Sequence, residues 1–301
     1  MRREGTVLSI LGGRYDVLSG DGRLDASLRG RFKQESKEQV LVGDRVEVAV
    51  QDDGSATIES LLPRTSLLRR RMPGRRRGER YVAANVDQVI VVAAAARPAW
   101  DAHLVDRFVV VAEANDIPAV VVVNKIDLVD DASMLGKPYA KAGYRVLYTS
   151  VQNAVGLDEL RAVLHGRVSL FTGTTGVGKS SLLNAIEPGL QLRTAEVSRK
   201  AGAGRHTTVS AVMHPLSLGG FVVDTPGLRD VGLWSVDPSE VAQAFPEFAE
   251  YAAQCRFDDC RHCGEPSCAV VAASRTGGVD LGRLESYRQL LAEAEESAGR
   301  Y

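Results

Sequence analysis

One glycine-rich segment has the residues needed to hold the phosphates of a nucleotide. Residues 173–180 read Gly-Thr-Thr-Gly-Val-Gly-Lys-Ser and fit the pattern GxxxxGK[ST]. Glycines let backbone N–H groups approach phosphate oxygens, and the N-terminus of a following helix favours the same negative charge. We expect Lys179 to act in catalysis by reaching the β- and γ-phosphates, and the Ser180 hydroxyl to ligate Mg²⁺. The predicted phosphate-binding residues are Gly173, Thr174, Thr175, Gly176, Val177, Gly178, Lys179, Ser180 and Ser181.

A second segment could read a guanine base. Asn124-Lys125-Ile126-Asp127, an NKxD sequence, follows the apolar run 119–123. The Asp127 carboxylate can accept from both N–H donors on one edge of guanine, a pair that adenine does not offer, so a site built around that acceptor rejects adenine. Lys125 can lay its stem against the base, and Ser150, after the next strand, would add a backbone contact. We therefore expect Asn124, Lys125, Asp127 and Ser150 to bind GTP.

Two further segments could hold the γ-phosphate and its metal ion. Asp224-Thr225-Pro226-Gly227 follows a short apolar run, and we expect Asp224 to hold Mg²⁺ through water and the Gly227 N–H to meet the γ-phosphate. Residues 202–208 are rich in small residues, which is typical of a loop that orders around GTP. We assign Mg²⁺ to Thr207 and a catalytic part to Thr208, and the sequence leaves these two roles interchangeable.

The residue after Gly227 bears on the rate of hydrolysis. It is Leu228, which cannot orient an attacking water as the glutamine at that place does in Ras-like GTPases. We therefore expect slow turnover by the isolated protein and a polar group elsewhere that positions the water. His206 is our candidate for that catalytic group, and an exposed loop histidine without a role is the alternative.

The order of these motifs differs from that of an ordinary GTPase, in which the phosphate loop comes first and NKxD last. Here NKxD at 124–127 precedes the phosphate loop at 173–180, which precedes the Asp-Thr-Pro-Gly segment at 224–227. The motifs therefore run as a circular permutation. The same sheet can form, but the segment after residue 227 leads straight into the C-terminal region.

A cysteine cluster has the spacing of a metal centre. Cys255-x₄-Cys260-x-His262-Cys263-x₄-Cys268 contains all four cysteines of the chain. Such a cluster favours a tetrahedral structural Zn²⁺, whereas a disulfide pair is the alternative that a reducing compartment disfavours. Five candidate ligands compete for four places, and spacing alone does not choose between His262 and Cys263.

The elements that must position these residues fall into successive segments. Residues 1–68 read as short alternating strands separated by turns, the pattern of a small closed barrel of the OB or SH3-like kind. Residues 69–81 read as an exposed basic linker. Residues 82–236 alternate buried apolar runs with helical segments, as in a parallel α/β sheet covered on both faces. Residues 237–301 are helical around the cysteine cluster.

Composition and charge exclude several classes of protein. The 301 residues are 45% hydrophobic and 25% charged, which excludes a disordered chain, a collagen-like fibre and a coiled coil. No apolar run approaches the roughly 20 residues of a membrane span, and the N-terminus lacks a signal-peptide pattern, so we expect a cytoplasmic protein. The net charge of −1 hides an asymmetry, since residues 1–80 carry 17 basic and 12 acidic residues and the remainder 20 and 26.

The positive excess includes a run of arginines, Arg75, Arg76 and Arg77. They would contact RNA phosphates, which position a nucleic acid without reading its sequence. A solvated linker is the alternative.

Taken together, these features resemble the ribosome small-subunit-dependent GTPase A family of circularly permuted bacterial GTPases, over about residues 64 to 290. The resemblance implies an α/β fold: a circularly permuted P-loop GTPase domain, preceded by an OB-fold β-barrel and followed by a mainly helical zinc-binding domain. Cys263 and the pair Thr174-Thr175 depart from the family's usual pattern. The matching stretches are Ala83–Asp87, Asn124–Asp127, Gly176–Leu182, Gly204–Thr208, Asp224–Gly227, Phe245–Phe248, Cys255–Phe257 and Glu265–Val270.

The resemblance also implies a function. It predicts a GTP hydrolase with a late role in maturing the small ribosomal subunit, stimulated by that subunit and acting with Mg²⁺ and one structural Zn²⁺. In the family's pattern the zinc ligands fall on Cys255, Cys260, His262 and Cys268. We expect a monomer that contacts rRNA and GTP or GDP but no membrane.

Two competing interpretations belong to other classes. In the first, the protein is an rRNA-binding checkpoint or scaffold for which GTP sets the affinity for its partner and hydrolysis is incidental. Leu228 is compatible with this interpretation, because it favours slow intrinsic hydrolysis. In the second, it is a P-loop kinase or ATPase, which the NKxD sequence disfavours.

The assignment of His206 gives a testable prediction. His206→Ala should leave GTP affinity unchanged and lower the turnover measured with small ribosomal subunits, because the imidazole is assigned to the attacking water and not to the nucleotide. Unchanged stimulated turnover would remove His206 from the mechanism.

Overall fold

A computed structural model describes residues 1–20, 22–30, 39–71, 79–192, 211–224 and 236–299. Within these ranges a β-barrel, a six-stranded sheet with helices and a helical C-terminal part follow one another along the chain. Several predicted site residues lie outside the described ranges: Arg75, Arg76, Arg77, His206, Thr207, Thr208 and Gly227.

The N-terminal barrel has five strands. They are β1 (Arg2–Leu11), β2 (Arg14–Ser19), β3 (Gly22–Leu28), β4 (Arg45–Val50) and β5 (Ala56–Leu61). The barrel closes in the order β1-β2-β3-β5-β4, with β3 and β5 parallel and β4 paired back to β1. Strand alternation points Val7, Val17, Val46, Val48 and Ile58 into the interior, where they are buried. The predicted small barrel is confirmed, and five strands fit an OB-fold.

The outer face of the barrel carries arginines that are paired with carboxylates on neighbouring strands or segments. Residues 1–68 hold ten basic and eleven acidic residues, whereas residues 69–80 hold seven arginines and one glutamate. The positive excess of the N-terminal region therefore belongs to residues 69–80 and not to the barrel. The barrel pairs are Arg14–Asp25, Arg23–Asp16, Arg29–Glu59 and Arg45–Glu4.

A two-stranded hairpin follows the barrel. Strands β6 (Leu67–Arg71) and β7 (Glu79–Ala84) are antiparallel, with Arg69 opposite Tyr81. The predicted linker over 69–81 is therefore partly a hairpin. Burial of Leu68 and Ala83 at its base explains the strand pairing, since apolar contacts order backbone that arginines alone would leave solvated.

The central sheet has six strands in the order β10-β9-β8-β11-β13-β12. All neighbours are parallel except β12 and β13. Every residue of β8 and β9 is buried, as their continuous apolar runs predict for strands covered on both faces. The strands are β8 (Gln88–Ala94), β9 (Ala119–Asn124), β10 (Arg145–Thr149), β11 (Val168–Thr172), β12 (Val212–Pro215) and β13 (Phe221–Asp224).

Helices surround this sheet and make up the C-terminal part. Among the helices of the described ranges, none is long and apolar enough to cross a membrane. Helices of the sheet region are α1 (Ala102–Glu113), α2 (Ser133–Lys141), α3 (Leu157–Leu164) and α4 (Lys179–Ile186). The C-terminal part contains α5 (Pro238–Val241), α6 (Ala249–Ala252), α7 (Ala269–Arg275) and α8 (Leu281–Gly299). Short 3₁₀ helices span Ile126–Leu128, Pro188–Leu190 and Pro246–Phe248.

The barrel packs closely against the base of the hairpin and the edge of the sheet. Gly43 has a φ of +90°, and a Cβ there would lie 2.1 Å from the Ala84 carbonyl oxygen, so only glycine fits. The Asn85 amide donates to the Gly43 carbonyl at 2.8 Å, and Ala84 N–H donates to the Val42 carbonyl at 2.9 Å. Met213 of β12 is buried in the same contact. This contact therefore joins the barrel to β12, an edge strand of the central sheet.

Candidate nucleotide site and metal centre

The carboxyl ends of parallel strands bring the nucleotide motifs together. The glycine-rich loop follows β11, Asn124 ends β9, Ser150 follows β10 and Asp224 ends β13. Because parallel strands share one carboxyl edge, all four motifs lie at the same edge of the sheet, the usual ligand-binding edge of such folds. The structure therefore brings together the predicted GTP-binding residues that it describes, with the permuted order of motifs along the chain.

The phosphate loop turns so tightly that three of its glycines, Gly173, Gly176 and Gly178, have a positive φ and cannot be replaced without strain. Gly173 has a φ of +135°, and a Cβ there would lie 2.1 Å from the Val92 carbonyl oxygen of β8. Gly178 has a φ of +99° and directly precedes α4. A Cβ on Gly178 would lie 2.4 Å from the Asn124 Nδ2. The loop is thus pressed against two strands, and the N-terminus of α4 opens at its end, as a phosphate cradle requires.

Lys179 places a positive charge inside this loop. Its Nζ donates to the Gly173 carbonyl at 2.6 Å and to the Thr174 carbonyl at 2.9 Å. Thr175 and Gly176, at the tip of the loop, are exposed, while Ser180 and Ser181 are half-buried in the first turn of α4. The ammonium group and the helix N-terminus face one concave backbone, which favours an anion there.

Asn124 connects the NKxD segment to the phosphate loop through its side chain. The amide Nδ2 donates to the Val177 carbonyl at 2.8 Å, and Oδ1 accepts from the Thr149 hydroxyl at 3.0 Å. The side chain is almost fully buried. The sequence predicts that Asn124 binds the nucleotide. It does not predict the hydrogen bond to Val177, because the two residues are 53 positions apart in the chain.

Lys125 makes a second bridge to the phosphate loop. Its Nζ donates to the Gly176 carbonyl at 2.6 Å and to the Arg97 carbonyl. Burial lowers the pKa of Lys125, and the nearby Asp127 acts in the opposite direction. The amino group therefore holds together the phosphate loop and the loop that follows β8.

Ser150 supports the carboxylate that is predicted to read the base. Its hydroxyl donates to Asp127 Oδ1 at 2.5 Å and accepts from the Asn153 N–H at 3.1 Å. Sequence reasoning gave Ser150 a backbone contact to the base. The structure adds a side-chain contact that orients Asp127.

A cavity of about 370 Å³ lies beside the phosphate loop. The first half of α1 forms one wall of it, and no motif in the sequence marked this helix. The cavity is lined by Val92, Ala93, Ala94, Pro98, Ala99, Asp101, Leu104, Val105, Phe108, Thr174, Thr175 and Val177.

The C-terminal part gathers a second set of functional side chains. The potential ligand atoms of Cys255, Cys260, His262 and Cys268 all lie within 4.8 Å of one another. The structure thus includes His262 in the cluster. Cys263 is exposed, and its Sγ contacts the Arg261 carbonyl at 3.4 Å.

The spacing within this cluster fits a tetrahedral metal ion. Two thiolates at 2.3 Å from a tetrahedral Zn²⁺ lie about 3.8 Å apart, and a thiolate and an imidazole nitrogen about 3.6 Å apart. The Sγ atoms of Cys255 and Cys268 are 3.9 Å apart, and His262 Nδ1 lies 3.7 Å and 3.4 Å from them. A disulfide would need about 2.0 Å, so this geometry suits a metal and not a bond between the thiols.

Burial and hydrogen bonds prepare His262 for that position. Burial lowers the pKa of His262, and Glu265 acts in the opposite direction. The neutral imidazole that results is the form that binds a metal. The backbone is held from α8, because the Tyr287 hydroxyl donates to the Arg261 carbonyl at 2.7 Å and Arg288 Nε donates to the His262 carbonyl at 3.1 Å.

Both the barrel and the sheet region match models of known protein families. Residues 61–234 match the family described as RsgA GTPase, and residues 4–58 match the RsgA N-terminal domain. A relative from Gemmatimonas aurantiaca, named small ribosomal subunit biogenesis GTPase RsgA, is 50% identical over 293 residues, which cover 95% of each chain. A relative of the same name from Moorella thermoacetica is 45% identical and covers 96% of this chain and 97% of its own.

Solved structures show the same fold. YjeQ from Thermotoga maritima superposes with a TM-score of 0.82 at 36% identity, covering 98% of this chain and 99% of that one. YloQ, described as a circularly permuted GTPase, superposes with a TM-score of 0.78 at 29% identity, covering 98% and 96%.

The bridge made by Asn124 gives a prediction about stability. Asn124→Ala leaves the Val177 carbonyl without its side-chain donor and the Thr149 hydroxyl without its acceptor, so the free energy of unfolding should fall by about 1–3 kcal/mol. Urea denaturation of the nucleotide-free protein measures it. The exposed Asn153→Ala is the matched control, and an equal loss in both variants would contradict the assignment.

Proposed function

The chain belongs to the RsgA GTPase family and is a GTP-hydrolysing enzyme, and we propose that it acts in the maturation of the small ribosomal subunit, which stimulates its hydrolysis. The observation that carries this proposal is the set of nucleotide motifs at one sheet edge in permuted order, on a chain that matches relatives named for small-subunit biogenesis over 95% of its length. The barrel, the hairpin, the GTPase domain and the metal-binding part would act together, as one monomer in the cytoplasm.

In the proposed site, the described residues divide into base-reading and phosphate-holding groups. Asp127, held by Ser150, would accept from the guanine N–H donors, while Lys125 would lie along the base. Lys179 and the backbone of residues 173–178 would hold the phosphates. Mg²⁺ accompanies GTP in this family of enzymes and would neutralise phosphate charge. Ser180 and Asp224 would hold it, together with Thr207, which lies outside the described residues.

The hydrolytic step is proposed to depend on residues of two segments outside the described ranges, one that precedes β12 and one that follows β13. His206 would orient water, Thr208 would support the reacting phosphate and the Gly227 N–H would meet the γ-phosphate. Leu228 supplies no polar group for this purpose. The small subunit would therefore raise the rate by holding these residues at the γ-phosphate.

A second candidate function follows from the same Leu228. In that alternative the protein is an rRNA-binding checkpoint or scaffold, GTP sets its affinity for the subunit, and hydrolysis is incidental. The two functions differ in whether the bound subunit accelerates the chemical step.

The discriminating experiment measures GTP turnover by the intact protein with and without purified small subunits. We expect a marked increase with small subunits and none with large subunits. Lys179→Ala, which removes the amino group from the phosphate loop, reports any contaminating GTPase. No stimulation, together with GTP-dependent binding to the small subunit, would favour the scaffold.

The metal centre leads to a separate prediction. We propose that Cys255, Cys260, His262 and Cys268 hold one structural Zn²⁺, which the tetrahedral spacing of the cluster supports. Cys268→Ser should release about one equivalent of zinc and destabilise the C-terminal part, because a structural zinc contributes directly to folding. Cys263→Ser is the matched control, since Cys263 is exposed and outside the cluster.

Metal analysis of the two purified variants and their thermal melting temperatures measure the outcome. Retention of zinc by Cys268→Ser, or its loss from Cys263→Ser, would contradict the ligand assignment.

The arginine run leads to a prediction about salt. We propose that Arg75, Arg76 and Arg77 contact rRNA phosphates, which the concentration of positive charge in residues 69–80 and the packed base of the hairpin support. Replacing the three by glutamine should lower affinity for the small subunit and reduce the slope of log K against log salt by about 2–3, because each phosphate contact releases close to one counterion.

Binding of the labelled variant to small subunits over a range of KCl concentrations gives this slope. The matched control neutralises Arg14 and Arg23, whose charges are already paired with Asp25 and Asp16 on the barrel. An unchanged slope in the variant that lacks Arg75, Arg76 and Arg77 would favour a solvated linker.

A further inference from the structure

A buried arginine of the C-terminal part lies outside both the nucleotide site and the metal centre. Arg283 of α8 is 2% exposed. Its Nε and one terminal nitrogen donate to the two oxygens of Glu247 at 2.7 Å and 3.0 Å. The other terminal nitrogen donates to Asp106 Oδ1 at 2.5 Å. Asp106 lies in α1 and is fully buried.

An arginine at this depth is kept charged by its partners. Burial opposes its positive charge, but Asp106 and Glu247 outweigh this effect and raise the pKa of Arg283 above its usual value. The guanidinium also lies 4.4 Å from the ring centre of Phe245. Removing one partner of such a buried group is costly, because the charge that remains has no water to replace the lost contact.

The two carboxylates differ in what they connect. Glu247 belongs to the 3₁₀ helix Pro246–Phe248 of the C-terminal part, so its contact with Arg283 stays within that part. Asp106 belongs to a helix of the sheet region, so its contact crosses between the two. The same junction includes Arg107 of α1, which donates to Glu293 of α8 at 2.6 Å.

The opposite side of α1 faces the phosphate loop. Leu104, Val105 and Phe108 line the cavity whose other wall includes Thr174 and Thr175. Val105 immediately precedes Asp106 in the helix. The position of α1 is therefore set by its apolar packing on the central sheet, which includes Phe108, and by the contact with Arg283.

We propose that Arg283 is a positioning residue for the nucleotide site: by holding Asp106, it keeps α1 in place across the cavity from the phosphate loop and so slows the release of bound nucleotide. The C-terminal part thereby contributes to nucleotide retention without touching the nucleotide. Backbone N–H groups in the loop must keep their spacing to hold phosphates, so a small shift of the adjoining helix is expected to change the dissociation rate.

Substitutions at the two carboxylate partners of Arg283 distinguish this positioning role from a merely structural one. Asp106→Asn removes the charge that α1 presents to Arg283, and Glu247→Gln removes an equal charge that the C-terminal part presents to it. Both variants should lose thermal stability. Asp106→Asn should also speed dissociation of a fluorescent GDP analogue by about 2- to 30-fold, the range for mutations that modulate coupling between sites. Glu247→Gln should not change that rate, because the contact between Arg283 and Asp106 remains.

The measurement is stopped-flow displacement of the analogue from full-length protein whose zinc content has been checked. Equal acceleration in both variants, or no acceleration in Asp106→Asn, would overturn the proposal. If Asp106→Asn cannot be purified, Arg283→Lys replaces it: lysine lacks the planar fork that reaches two carboxylates at once, and an unchanged rate in that variant would also overturn it. Ribosomal subunits are absent from the experiment, so its result is independent of the proposed stimulation.

Discussion

The shared carboxyl edge of the parallel strands is the constraint on which the rest of the structure depends. Strands β8, β9, β10, β11 and β13 run in one direction, so whatever follows each of them arrives at the same place. Chain order does not matter to this geometry. For that reason the NKxD segment can come before the phosphate loop in the sequence and still lie beside it, as the contact between Asn124 and the Val177 carbonyl shows.

The parts of the molecule are joined through polar contacts buried among apolar residues. Asp44 is fully buried and accepts from Arg64 at 2.7 Å, next to the glycine that allows the barrel to approach the hairpin. Arg283 has the corresponding place between the sheet region and the C-terminal part. Loss of one partner of a buried ion pair leaves an uncompensated buried charge, so such contacts help to hold these junctions together.

Much of the architecture could be predicted from local pattern. The apolar runs of β8 and β9 indicated strands covered on both faces, and the alternation of residues 1–68 indicated a barrel. The hairpin cannot be predicted in this way, because its arginines have the composition of a linker while its pairing depends on the burial of Leu68 and Ala83 against distant residues. The net charge of the N-terminal region does not show by itself which part carries the positive excess. The structure shows that carboxylates pair with the barrel arginines.

The sequence by itself determined the chemistry: the phosphate loop, the guanine-reading segment and the cysteine cluster are each recognisable from residue types at short spacing. The tertiary structure decided which of those residues act through others. It placed Asn124 between two motifs, used the Ser150 hydroxyl to support Asp127, and put His262 rather than Cys263 in the metal cluster. It also brought α1 between the phosphate loop and Arg283. The physical reason is that these contacts join residues far apart in the chain, whose approach is set by strand order and helix packing and leaves no local pattern in the sequence.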